Sequence, residues 1–501
     1  MTPLETALVV ASGVVAALSS LRWLRVAQRE HYLAPAVTRF AGRWWRSSAL
    51  NLVLIVIGVA GAIGVWFNPG AGWLTLLVVA GGPMGLGLKG QTSPLAWTSR
   101  LRRLAVALAV LTVVLLGTSE VIGQPGWAVA AVLLLPVLVD LALILLAPIE
   151  HRMGEKWVSQ ARTRLAASEA RVVAVTGSYG KTTTKGYLGH LLDGRLQTVV
   201  SPASFNNRMG LARAINEQLG PGVDVFVAEM GTYSRGEIAA LCEFVPPEIA
   251  VITALGPVHL ERFGTLEAIV TAKREILEKA SVAVLNVDHP LLARVADEED
   301  ARRQVIRISD RAVGADVSLV DGVLRIEGIE AGVVDGAVFA ANLAAAAATA
   351  TALGLSPAEI SLRLGGLPTA PHRLQQRTSE RGVLIFDDTY NSHPAGTVAA
   401  LSALAAVPGQ GRRVVVTPGM VELGSSQYEE NRHFARGAAS LASDLLVVGR
   451  TNRSALLEGA RAGAAAVTVV DSRLEAVQWV RAHLGVGDAV LYENDLPDHY
   501  P

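Results

Sequence analysis

The sequence predicts a bundle of membrane-crossing helices followed by α/β domains built on largely parallel sheets. Three observations carry this: charge is unevenly distributed, five long apolar stretches fall in the first 150 residues, and a strand–glycine loop–helix motif follows them. The chain has 501 residues, 51% hydrophobic and only 18% charged, against roughly 25% charged in an average soluble domain. Residues 1–150 hold 10 Lys/Arg, 5 Asp/Glu and seven of the nine Trp. The rest of the chain carries charge at a near-soluble level. With 44 basic and 44 acidic residues in balance, there is no basic footprint for nucleic acid. The single cysteine, Cys242, excludes a disulfide framework and a thiolate zinc cluster.

The apolar stretches are Leu4–Leu21, Ala49–Phe67, Gly70–Leu88, Leu104–Gly123 and Trp127–Ile149. Each approaches the ~20 residues that cross a hydrocarbon core, so residues 1–150 are expected to form a five-span domain. Leu4–Leu21 lacks the basic flank of a signal peptide, and four more stretches follow it. Arg22, Arg25, Arg29, Arg39, Arg43 and Arg46 lie between the first two stretches; Lys89, Arg100, Arg102 and Arg103 lie between the third and fourth. His151, Arg152, Lys156, Arg162 and Arg164 follow the fifth, whereas Asn68–Pro69 and Gln124–Gly126 are uncharged. This alternation places the N-terminus outside and everything after Ile149 in the cytoplasm of a multi-pass cell-membrane protein. Asp140 is the charge deep within a span, expected either to pair with a neighbouring helix or to mark a functional site. Trp23, Trp44 and Trp45 flank basic residues and are expected at headgroup level.

From Arg171 onward, short β-rich runs alternate with Ala/Leu-rich helical segments, the pattern of a parallel α/β sheet. Arg171–Thr176 reads as a buried strand, followed by Gly177-Ser178-Tyr179-Gly180-Lys181-Thr182-Thr183-Thr184-Lys185 and a helix. The glycines let backbone N–H groups curl around phosphate oxygens; Lys181 reaches the outer phosphates and the Thr182 hydroxyl suits Mg²⁺. A short glycine turn of this kind also occurs by chance, so its neighbours matter. These include Asn206-Asn207, Glu229 at the end of an apolar run, and His259 after another. In an open α/β sheet, ligands gather at such strand ends, and a carboxylate with an imidazole near phosphates suits Mg²⁺ or Mn²⁺. Taken singly, each would be an ordinary surface acid or a satisfied histidine.

The full run of motifs resembles the Mur ligases, nearest to those that join D-alanyl-D-alanine to UDP-N-acetylmuramoyl-tripeptide. The resemblance covers about Val172 to Leu491. It rests on Thr176–Lys185, Asn206-Asn207, Glu229-Met230-Gly231 with Gly236-Glu237-Ile238, His259-Leu260-Glu261, Ala272-Lys273 and Asn286-Val287-Asp288. It continues through Asn342-Leu343-Ala344-Ala345, His372-Arg373-Leu374, Asp387-Asp388-Thr389-Tyr390-Asn391 and Gly419-Met420-Val421-Glu422-Leu423-Gly424. It implies a central ATP-binding domain near 160–370 and a Rossmann-like domain near 371–501.

By resemblance, the chain activates a carboxylate with ATP as an acyl phosphate, which an amino-acid or dipeptide amine then attacks to form an amide. Gly177, Gly180, Lys181, Thr182 and Thr183 would hold the phosphates, and Thr182 with Glu229 the first Mg²⁺. His259 would ligate a second Mg²⁺, and Lys273 would serve as a carbamate near it, which requires a neutral amine. An ordinary helix-face pair of Lys273 with Glu267 or Glu278 is the alternative. Asn342 would contact adenine, and Arg373 and Asp388 would reach the nucleotide from the C-terminal domain. Asn206, Asn207, Tyr390, Asn391, Glu493 and Asp495 are candidate substrate contacts.

Three departures from the family pattern stand out. About twenty residues separate the last apolar stretch from the first strand, too few for the soluble UDP-sugar domain with which relatives begin. The membrane domain stands there instead, keeping the site near the headgroups and suiting a lipid-linked carboxylate donor. Tyr233 and Ser392-His393 replace Asn and Ala-Asn. Where relatives end on Lys-Gly-Ser, this chain has Glu493-Asn494-Asp495 and later Asp498, favouring a cationic acceptor unless these acids form a solvated tail. The expected function is an ATP- and Mg²⁺-dependent amide ligase at the cytoplasmic membrane face, in cell-wall precursor synthesis. A ligase for a poly-γ-glutamate-like surface polymer, or a transporter or scaffold with a nucleotide-sensing domain, are the rivals.

Overall fold

The first helix begins with a reciprocal cap: Glu5 N–H donates to Thr2 Oγ1 at 3.3 Å and Thr2 N–H to Glu5 Oε2 at 2.6 Å. The computed structural model describes every residue except 89–94, 203–204, 233, 259, 335–338, 369–371, 391, 497–499 and 501. Met1–Met153 forms one compact unit and Gly154–Asp495 another.

The first unit contains α1 (Pro3–Arg29), α2 (Ala36–Trp45), α3 (Ala49–Gly64), α4 (Gly72–Gly81), α5 (Ser99–Ile122), α6 (Gly126–Leu133) and the start of α7 (Leu135–Ser168). Among the described residues, α1 and α5 are long and apolar enough to cross a membrane. The count rises to four if α2 with α3, bent by 113°, and α6 with α7, bent by 76°, each form one span. The stretch at Gly70–Leu88 folds as the ten-residue α4, about 15 Å long and half of a hydrocarbon core. It ends at Gly82-Pro83, where proline has no N–H to continue the ladder.

The carbonyls freed there are satisfied by side chains. Arg22 donates to Val79 O and Gly82 O, and Arg25 to Gly87 O at 2.7 Å. Asn51 Nδ2 and Trp44 Nε1 donate to Met84 O at 3.2 and 3.1 Å. Arg22 and Arg25 are therefore not loop charges: α1 extends to Arg29 and both are buried at 4% exposure. Trp23, Trp44 and Trp45 likewise pack inside the helical unit. Asp140 takes the structural option, accepting from Thr38 N–H at 2.7 Å and Thr38 Oγ1 at 2.5 Å. It caps α2, whose own N-cap residue Pro35 supplies no side-chain bond.

The second unit carries two sheets. Nine strands form the first: β1 (Arg171–Thr176), β2 (Thr198–Val200), β3 (Val225–Glu229), β4 (Ile249–Ile252), β5 (Val282–Asn286), β6 (Gln304–Ser309), β7 (Val317–Val320), β8 (Val323–Ile326) and β9 (Ile329–Val333). Their order is β2-β3-β1-β4-β5-β6-β7-β8-β9, parallel through β7 and antiparallel beyond. Val173 and Val175 pack on one face, Val172 and Ala174 on the other. Both faces are covered, as a parallel sheet requires. α8 (Lys181–Leu192) follows β1 directly. The second sheet comprises β10 (Gln375–Thr378), β11 (Leu384–Asp388), β12 (Arg413–Thr417), β13 (Asp444–Val448), β14 (Ala466–Val470) and β15 (Ala489–Glu493), in the order β10-β11-β15-β12-β13-β14. Only β10 runs antiparallel.

Candidate active site

The loop between β1 and α8 is shaped by two close approaches. A Cβ at Gly177 would lie 2.0 Å from Thr253 Oγ1, and one at Gly180 would lie 2.3 Å from Asn342 Oδ1. Gly180 also has φ +84° and caps α8 without a side-chain bond. The first N–H groups of α8 therefore face outward with the helix dipole behind them, an arrangement made for an anion. Loop residue Ser178 ties back to Gly256 O at 3.1 Å and Tyr179 OH to Leu255 O at 2.9 Å.

Register brings Glu229 to this loop, because β3 pairs with β1 so that Val175 faces Glu229. Glu229 Oε2 accepts from Thr182 Oγ1 at 3.0 Å and from Lys185 Nζ at 2.7 Å, and Oε1 lies 3.4 Å from Asn206 Nδ2. Burial pushes the Glu229 carboxyl up, but Lys185, Lys181 and these hydrogen bonds outweigh it and hold the group below the usual carboxylate range. A carboxylate and a hydroxyl, both oxygen donors, fit Mg²⁺. Among the described residues no cluster of three His, Cys, Asp or Glu side chains gathers to hold a metal. His259, like Asn391, lies outside the described residues.

Lys181 Nζ donates to Gly177 O at 2.8 Å. Burial first, then Arg373 and Lys185, bring it down to about 8 against the pull of Glu229. Lys273, on the helix Leu266–Arg274, is buried and pairs with neither Glu267 nor Glu278. Burial, reinforced by Lys181, drives its amine well below the usual lysine range. Asn342, at the start of Ala340–Ala352, packs over Gly180. Thr183 is buried in the first turn of α8.

The segment leading into β10 contributes Arg373, stacked 4.5 Å over the Tyr390 ring, and the end of β11 contributes Asp388, which accepts from Leu374 N–H at 3.0 Å. Burial pushes Asp388 up to about 6. Asn207 is occupied otherwise: its Oδ1 caps the helix Arg208–Gln218 through Gly210 N–H at 2.9 Å. Glu493 and Asp495 are not a solvated tail, and Asp498 lies outside the described residues. Glu493 is fully buried at the end of β15 and Asp495 pairs with Arg473, so the Asp495 charge is neutralised within the protein.

Three contacts escaped the sequence reading. Lys185 sits one helical turn beyond Lys181, so the i,i+4 spacing was its signal. Tyr179 stacks on His393 with ring centroids 3.9 Å apart and 7° between planes. Ser392 Oγ donates to Glu493 Oε1 at 2.5 Å. The last two join distant segments and leave no local trace.

Known proteins share this organisation. The Mur ligase middle-domain family model matches residues 175–349, and the model described as Mur ligase, glutamate ligase domain matches 372–492. The chain belongs to the Mur ligase family. The UDP-N-acetylmuramoyl-tripeptide--D-alanyl-D-alanine ligase of Mycobacterium leprae (strain TN) is 32% identical over 377 residues, covering 65% of this chain and 71% of that one. The Escherichia coli (strain K12) enzyme of the same name is 31% identical over 339 residues, covering 64% and 72%. Among solved structures, MurF from Acinetobacter baumannii superposes with a TM-score of 0.59 at 26% identity, covering 68% of this chain and 77% of its own. MurF ligase from Thermotoga maritima in complex with ADP gives 0.57 at 27%, covering 68% and 80%. As a Mur ligase, this chain is an ATP-dependent enzyme that forms carbon–nitrogen bonds.

Proposed function

We propose that this Mur ligase joins a muramoyl-peptide carboxylate to an amine in peptidoglycan precursor synthesis, working at the cytoplasmic face of a membrane. The observation that carries the reading is the meeting of Glu229, Thr182 and Lys185 beside the uncapped start of α8. The obstacle to the reaction is charge, since a carboxylate must approach a polyanionic triphosphate. Mg²⁺, when bound, screens that charge, with Thr182 and Glu229 as its protein donors. The N–H groups of the Gly177–Thr183 segment and the Lys181 ammonium hold the phosphates, while Asn342, Arg373 and Asp388 line the rest of the nucleotide. The donor carboxylate oxygen attacks the γ-phosphorus and ADP leaves with the bonding pair, giving an acyl phosphate. The acceptor, as its neutral amine, then attacks the acyl carbon; phosphate departs with the C–O bonding pair and takes up the proton lost from nitrogen, and an amide remains. Asn206, Tyr390 and Asn391 are the proposed substrate contacts.

Lys273 is proposed as a carbamate that, with His259, holds a second Mg²⁺. A buried amine kept neutral is the form that reacts with CO₂. Lys273→Ala should lose activity and regain part of it with added short-chain carboxylate; loss without rescue would remove the carbamate role.

The five apolar stretches are proposed as membrane elements with the N-terminus outside, on the alternation of basic and neutral loops. The helical unit is further proposed to present a lipid-linked donor, whose effective concentration anchoring would raise. Full-length enzyme should be assayed with lipid-linked and UDP-linked forms of one muropeptide, with ATP and a panel of amines. Preference for the lipid-linked form supports this reading, and equal use of the UDP-linked form would reduce the unit to an anchor.

A further inference from the structure

The end of β15 holds a carboxyl that the reaction above does not use. Glu493 is fully buried, and among the described residues its Oε2 has no hydrogen-bond partner. Leaving such an atom unpaired in a protein interior is costly unless something completes it. Its Oε1 is held by the Ser392 hydroxyl at 2.5 Å. Parallel pairing of β11 with β15 sets Asp388 directly beside Glu493. Paired residues of neighbouring strands project to the same face, so the two carboxyls stand together. Asp387 projects to the other face and is satisfied there by His372 at 2.9 Å and by Thr389. Asp388 is the outer of the two, at 9% exposure, with Arg373 as its neighbouring cation.

The pair is tied to the phosphate loop. Ser392, which binds Glu493, precedes His393, and His393 stacks on Tyr179 of that loop. His393 Nδ1 accepts from Gly396 N–H at 3.0 Å, which fixes the ring. Both carboxyls also sit at the carboxyl ends of their strands, where open α/β sheets receive ligands.

We propose that Asp388 and Glu493 form an ammonium subsite for the acceptor, Asp388 at its mouth and Glu493 behind, selecting acceptors whose amine is not offset by a nearby carboxylate. This rests on the ligase reading above and adds the charge class of the second substrate. Burial pushes both carboxyls up, with Asp387 adding to the rise of Asp388 and Asp388 to that of Glu493, so an arriving ammonium replaces a proton held at the empty site. An acceptor carboxylate at this place would add a like charge beside the pair, which desolvation penalises.

The test uses two probes that differ only in that charge: D-alanyl-D-alanine, and D-alanyl-D-alaninamide, in which a neutral amide replaces the carboxylate. Each is titrated calorimetrically into full-length enzyme loaded with a non-hydrolysable ATP analogue. The amide should bind tighter by about tenfold or more, the worth of a charge-assisted hydrogen bond. Glu493→Gln, which keeps the shape and the Ser392 bond, should erase that preference without changing nucleotide affinity. Equal or tighter binding of the carboxylate probe to the unmutated protein, or binding of neither at millimolar concentration, would overturn the subsite without needing any variant. An amide preference unchanged in Glu493→Gln would do the same. Failure of turnover with intact amide preference would instead count against the ligase reading.

Discussion

Lys181 and Lys185 lie on one face of α8 yet do different work. Lys185 is sealed against Glu229, both side chains 4% exposed, and breaking a buried pair costs about 3–5 kcal/mol because the remaining charge is unpaired. Lys185→Met should therefore lower stability by roughly that amount, and Mg²⁺ should restore part of the melting temperature by supplying the missing positive charge. Lys185→Met melting unchanged from the unmutated protein would show that Glu229 does not depend on it. Lys181, held down to about 8, is proposed to bind phosphate as the cation. ADP affinity should thus weaken as pH rises through about 8 in calorimetric titrations, and Lys181→Ala should abolish that slope together with ligation. The motif announced Lys181, Thr182 and Glu229 because phosphate chemistry uses residues close in sequence or at strand ends. Glu493 was legible only as a change of sign; its burial and its tie to Ser392 depend on strands more than a hundred residues apart.

At the scale of elements, the catalytic sheet was more legible than the helical bundle. Alternating β-rich and helical runs announce their own boundaries, whereas hydropathy cannot register where a helix stops. Pro83 and the glycines around it were the available signal that the third apolar stretch breaks after Gly81. Arg22 and Arg25 look like loop charges in the sequence because nothing local shows that the carbonyls of Val79–Gly87 need donors. A comparable buried device stabilises the catalytic unit. Glu299 ends the helix Pro290–Glu299, is 2% exposed, and pairs with Arg274 at 2.6 Å and Arg303 at 2.7 Å. Burial pushes this carboxyl up, but the two guanidinium groups prevail and hold it below its usual range. Its stabilising effect is present above the unfolded carboxylate value and disappears as pH falls through the lower folded value. Glu299→Gln should cost about 3 kcal/mol near neutrality by denaturant unfolding, and the gap from the unmutated protein should close in acid. A gap that stays constant with pH would assign the loss to packing.

At the scale of the whole molecule, the composition already separated a charge-poor helical unit from a charged catalytic one, and the two compact units divide the chain at Met153 and Gly154. Among the described residues, the five apolar stretches yield two uninterrupted candidate spans and two bent pairs, so topology needs a direct probe. A cytoplasm-active reporter fused after Pro501 should be active, and one requiring export should be silent; the reverse would refute the proposed orientation. The central claim is that the loop carrying Lys181 drives amide formation with ATP. Its most direct test is mass spectrometry of the products made by purified full-length protein given ATP, Mg²⁺, a muramoyl-peptide donor and a panel of amines. Amide product should appear with ADP and phosphate in equal amounts, depend on an added amine, and vanish in Lys181→Ala. ATP hydrolysis that ignores both donor and amine, with no amide formed, would contradict it.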